Sequence, residues 1–117
     1  MNMEEILKTQ YSEEFDQLSK NRVCTSFFKY GPIEDNFGKK LVNAIKSCNL
    51  CINKYQETGN TEYLVDAKNY LMFEFMYPTH KKAHFEATDS KGSAGISGIS
   101  INEIMAIKSE NILESYK

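Results

Sequence analysis

Residues 61–77 read Thr61-Glu62-Tyr63-Leu64-Val65-Asp66-Ala67-Lys68-Asn69-Tyr70-Leu71-Met72-Phe73-Glu74-Phe75-Met76-Tyr77. No glycine or proline interrupts the run before Pro78, which stops it. Asn60 or Thr61 caps its start, and Glu62 sits in the first turn, where a carboxylate meets the positive end of the helix dipole. Leu64, Leu71 and Phe75 lie on one side, and Val65, Met72 and Met76 on an adjacent flank. A helix apolar nearly all round is expected to be central and buried. At about 100° per residue, Tyr63, Asp66, Asn69, Tyr70, Phe73, Glu74 and Tyr77 share one further broad face, with the three tyrosines stacked seven residues apart. Two or three partner helices around this one predict a compact bundle.

Working outward, the periodicity predicts a helix from about Ile33 to Tyr55. Its apolar stripe is Phe37, Leu41, Ile45, Cys48, Ile52 and Tyr55, at spacings of three and four. Thr58-Gly59-Asn60 ends it, with Gly59 placed for a left-handed terminus. Further upstream, Ile6, Leu7, Tyr11, Phe15 and Leu18 predict one helix or a helical pair over 3–20. Ser12 with Glu13 and Glu14 marks a break there. Val23-Cys24-Thr25-Ser26-Phe27-Phe28 fits either a short strand or a continuing helix, and Tyr30-Gly31-Pro32 is a breaker. Downstream, 79–85 fits one helical turn and 89–98 reads as a loop. Ser100-Ile101-Asn102-Glu103 is a capping box opening a last helix that runs to about Ser115. The expected fold is all-α, a compact bundle of about four helices with an irregular Gly/Ser-rich loop before the last, forming a single domain over 1–117.

Composition narrows the function classes. The chain has 117 residues, 41% apolar and 26% charged, with a net charge of -2. That is one ordinary globular core, with no basic footprint for nucleic acid. Thirteen lysines stand against a single arginine, Arg22. Sequence-specific DNA reading leans on arginine, so it is not expected. No run approaches the about 18 to 20 apolar residues of a membrane span. The acidic N-terminus and the odd cysteine count (Cys24, Cys48, Cys51) lead to an expected cytoplasmic location.

Four groups of residues are candidates for chemistry or recognition. The first is the tyrosine-rich face above. Asp66, Asn69 and Glu74 on it form either a satisfied polar network, paired with lysines or with backbone of 79–99, or part of a partner- or ligand-binding surface. The second is Cys48-x-x-Cys51 with His80-x-x-x-His84, four ligands of the kind zinc takes. Cys48 lies on a core stripe, though, and no turn glycines surround the pair, so plain core cysteines are expected and no metal or other cofactor. The third is the loop Ser90, Lys91, Gly92, Gly95 and Gly98 ahead of a helix, a flexible connector or an anion-holding segment. The fourth is His80 and His84 as acid–base groups, which lack a nucleophile beside them in sequence and read as a surface turn.

The stretches Thr58–Tyr70, Glu74–Pro78 and Ala87–Ser90 resemble a family of small proteins of Firmicutes and their phages, over about Tyr30 to Glu103. The resemblance implies a mobile-element origin. Glu62 to Tyr70, an acid-x-x-x-Asp segment running into Asn-Tyr, is also similar to the MazG-like all-α nucleotide pyrophosphatases. That similarity implies nucleoside triphosphate cleavage with Mg²⁺ held by carboxylates from two helices. Glu62 and Asp66 match, whereas no Asp or Glu lies between Asp35 and Glu57.

The leading expectation is a small non-enzymatic binding protein that docks on a host protein, a defence nuclease for instance, and inhibits it. A homodimer would cover apolar flanks that a chain this short leaves exposed. The alternative is nucleotide handling, with Glu62 and Asp66 on a cation, Lys81 or Lys82 on phosphates, and a tyrosine against the base. A second alternative is a zinc-stabilised interaction module built on Cys48, Cys51, His80 and His84.

Overall fold

A computed structural model describes residues 1–89 and 105–108. The chain divides into two compact units, Met1–Ala83 and His84–Lys117. The first unit carries α1 (Met3–Gln10), α2 (Glu13–Tyr30), a π-helical turn (Glu34–Gly38), α3 (Ala44–Thr58) and α4 (Glu62–Met76). In the second unit Met105–Lys108 is helical. The protein is all-α, as the periodicity predicts. The expected Gly/Ser loop, with Ser90, Lys91, Gly92 and Gly95, lies outside the described residues, as does most of the expected last helix.

Local chemistry explains the boundaries. Asn2 Oδ1 accepts from Glu5 N and Ser12 Oγ from Phe15 N, so each of the first two helices has its own N-cap and the chain breaks between them. No stretch of 23–28 forms a strand: those residues continue α2 to Tyr30. Gly31, at φ 82°, takes the helix end that a side chain would resist, and its N–H donates to Phe27 O. Gly59 does the same for α3 at φ 74°, ψ 6°, donating to Tyr55 O. At the start of α4, Asn60 Oδ1 accepts from Glu62 N.

The helix expected from Ile33 to Tyr55 is not continuous. The chain makes the π turn, then leaves helical geometry, with Lys40 at φ 59°. Leu41 N and Val42 N both donate to Asn36 O, closing a tight loop, and Asn43 Oδ1 caps α3 by accepting from Lys46 N. The stripe therefore splits. Phe37 is buried from the π turn and Cys48 from α3, but Leu41 between them is 74% exposed.

α4 is central, packing against both α3 and α2. It is not buried all round. Its buried residues are Val65, Ala67, Asn69 and Phe73. Leu71 and Phe75 are exposed, Phe75 by 74%, and so are Met72 and Met76. The expected burial all round is thus only half met: Asn69 and Phe73 of the tyrosine-rich face pack inward, while much of the apolar flank meets solvent. The reason lies in the partners. α2 brings the groups that satisfy Asp66 and Asn69, and Phe37 of the π turn joins the rings of α4. One core cluster holds Phe37, Ala44 and Phe73, with Val23, Ile33, Tyr70 and Tyr77 packed against it.

Candidate functional site: a cleft between two helices and the π turn

α2 contributes Ser19, Arg22, Val23, Ser26, Phe27 and Tyr30 to one side of a seam, and α4 contributes Asp66, Asn69, Tyr70 and Phe73 to the other. Near the start of that seam, Arg22 Nε and Nη2 donate to Asp66 Oδ1 and Oδ2 at 3.1 and 3.3 Å. Arg22 Nη1 lies 3.2 Å from Glu62 Oε1. The Asp66 carboxylate raises the guanidinium's pKa, against the burial that opposes it. One turn further, Asn69 Nδ2 donates to Ser19 O at 3.0 Å, in a buried position. On the neighbouring side Lys68 Nζ reaches Asp16 Oδ1 at 2.9 Å and stands 4.8 Å from the centre of the Phe15 ring.

Beyond the Arg22–Asp66 pair the seam opens into a cleft of about 370 Å³, within the usual size range of ligand sites. Its floor is aromatic. Phe37 and Phe73 have ring centroids 4.8 Å apart, and Tyr70 stands 6.0 Å from Phe37 and edge-on to Phe73 at 6.1 Å. Phe27, Tyr30 and Val42 line the cleft and are solvent-exposed, so they form its mouth. Burial pushes the Tyr70 hydroxyl pKa up, with Cys51 and Asp66 adding to the effect, so the phenol stays protonated at neutral pH.

Four of the seven face residues expected to bind a partner or ligand line this cleft: Asp66, Asn69, Tyr70 and Phe73. The other three do not. Glu74 accepts from Thr79 N and Thr79 Oγ1 beyond the helix end. Tyr77 packs on the π turn, so close that a Cβ on Gly38 would meet its ring at 3.2 Å. Tyr63 is half-buried outside the cleft. The polar network is real, but for Asp66 and Asn69 its partners are Arg22 and Ser19 of α2 rather than lysines or backbone of 79–99. The α2 and π-turn residues of the cleft, Arg22 above all, were not among the expected site residues. The isolation of one arginine among thirteen lysines was the signal available.

Cys48 is buried at 3% exposure and Cys51 is half-buried. Burial raises both thiol pKa values, which favours the protonated form over the thiolate that zinc requires. His80 Nδ1 accepts from Lys82 N, and His84 Nε2 lies 3.4 Å from Glu86 Oε2. Among the described residues no three His, Cys, Asp or Glu side chains gather in a way that could hold a metal. The Mg²⁺ implied by the MazG-like similarity fits no better. Glu62 and Asp66 both face a guanidinium, which already supplies the positive charge. Nor is any described helix long and apolar enough to cross a membrane. No protein-family model matches the chain, and neither curated proteins nor solved structures give a match.

Proposed function

We propose that this protein is a docking protein and that the cleft between α2, the π turn and α4 receives an anchor side chain from a partner protein. The observation that carries this reading is the combination of an aromatic-floored cleft with a solvent-exposed aromatic mouth at Phe27 and Tyr30. Pockets of this kind take the few side chains that dominate a protein interface, while the surrounding apolar rim excludes water. Phe28, next to the mouth and 87% exposed, extends that rim. The resemblance to proteins of Firmicutes and their phages supports a finer reading, in which the partner is a host protein, a defence nuclease for instance, and docking blocks it.

The test is site-specific photo-cross-linking in the native host. Phe27→p-benzoyl-phenylalanine is expected to give one discrete protein adduct. The same group at Glu57, an exposed position of α3, is expected to give none. Ser26→Trp, which fills the cleft, should abolish the adduct. Equal labelling from both positions, or none from Phe27, would reject the reading. An adduct of twice the chain mass would identify the partner as a second copy.

A further inference from the structure

Two helix faces of the first unit are apolar and meet water, and neither belongs to the cleft. α1 buries no residue, although Met3, Ile6 and Leu7 recur at helical spacing along one side of it. Eight residues are too few for a helix to hold by itself in water, even with the Asn2 cap, so α1 needs a surface to lie on. The second face is the flank of α4 formed by Leu71, Met72, Phe75 and Met76. None of these side chains lines the cleft. The end of α1 is tied to α4, because the Tyr11 hydroxyl bonds Asp16, and Asp16 in turn accepts from Lys68.

Area, charge and symmetry together indicate what covers them. The side chains of the two faces are 40–76% exposed. At ~200 Å² for each large side chain, they hold roughly 800 Å² of apolar surface in water. A standard protein interface takes about 800 Å² from each partner. The charged residue on the α4 flank is Lys68, which Asp16 neutralises at 2.9 Å. The flank therefore presents no carboxylate to repel Glu4 and Glu5 of α1. A two-fold dimer makes every contact twice, residue i on j and j on i. A chain with two unlike apolar faces meets that demand: α1 of one copy on α4 of the other, and the converse, covers both faces and leaves no open end.

We propose that the protein is a two-fold homodimer in which α1 of each copy lies along the α4 flank of the other. Met3, Ile6 and Leu7 meet Leu71, Met72, Phe75 and Met76 across the interface. The methionines suit such a contact, since their unbranched side chains fill irregular gaps. No cleft residue takes part, so each copy keeps its cleft open, and the dimer stands or falls independently of the docking reading.

Sedimentation equilibrium of the full chain at micromolar concentration is expected to give twice the 13.4 kDa of one copy. Leu7→Glu and Phe75→Lys each put a charge into the apolar contact and should weaken the dimer at least about tenfold. Leu50→Glu, at an exposed position of α3, should leave it unchanged. Mixed one to one, the Leu7→Glu and Phe75→Lys chains should pair again, since one of the two contacts is then native and the other sets Glu against Lys. A monomer, a dimer that survives both changes, or variants that stay apart when mixed would overturn the proposal. Should a charge variant lose its helical circular dichroism, a cross-link decides. Leu7→p-benzoyl-phenylalanine, prepared as an equilibrated mixture of ¹⁴N and ¹⁵N chains, is expected to label residues 71–76 in mixed-isotope peptide pairs. Pairs of a single isotope would place α1 on its own α4 and overturn the dimer, as would labelling elsewhere.

Discussion

Arg22 joins α2 to α4 through two hydrogen bonds to Asp66 and an ion pair with Glu62. Its side chain is 41% exposed and that of Asp66 25% exposed, so water screens the pair and only part of the Coulomb attraction survives. A double-mutant cycle with Arg22→Met and Asp66→Asn is expected to give a coupling of about 1 kcal/mol in urea unfolding. A coupling of zero would mean that the contact is ornamental to stability. The carboxylate and amide of α4 were legible in the sequence as groups needing partners, because buried polar atoms are rarely left alone. Which partner was not legible. Arg22 lies 44 residues from Asp66 along the chain, and only packing decides which distant group a helix face meets.

At the level of the helices, α4 shows how little composition says about direction. Phe73 and Phe75 stand two residues apart on one helix, one 6% exposed and the other 74%. Phe73→Ala should cost about 3–4 kcal/mol, by opening a void beside Phe37 and Tyr70. Phe75→Ala should change stability by less than about 0.5 kcal/mol. Chemical denaturation of the two variants side by side checks both, and a similar loss in each would contradict the packing described. The ends of elements were the readable part, since Ser12, Gly31 and Gly59 act through local chemistry that neighbours in sequence determine. The false continuity from Ile33 to Tyr55 arose because Phe37, Leu41 and Ile45 keep helical spacing by coincidence. The π turn, the Asn36 carbonyl bonds and the Asn43 cap interrupt a pattern that periodicity alone cannot see broken.

At the scale of the whole molecule, the acid limb of stability has one source among the described residues. The hydrogen bond from Lys68 holds the Asp16 carboxyl below its ordinary pKa, with Tyr11 helping and burial opposing. A carboxylate whose pKa is lowered in the folded state stabilises the fold above its unfolded pKa. That contribution disappears as pH falls through the folded value. Asp16→Asn should therefore lower the thermal midpoint at neutral pH, by an amount that shrinks as pH falls below the ordinary carboxyl range. A difference that persists or grows at low pH would assign the effect to something other than this ion pair.

The rarity of arginine has a practical consequence for watching the molecule open. A protease specific for arginine has a single peptide bond to cut, Arg22–Val23, in the middle of α2 and in the wall of the cleft. Such enzymes act on extended chain, so that bond is exposed only when the helix unravels and its side chain lets go of α4. The rate of that one cut, read as the appearance of a fragment ending at Arg22, reports the opening equilibrium of the seam without any label. A partner seated in the cleft would slow the cut in proportion to its occupancy, turning an ordinary digestion into a binding assay.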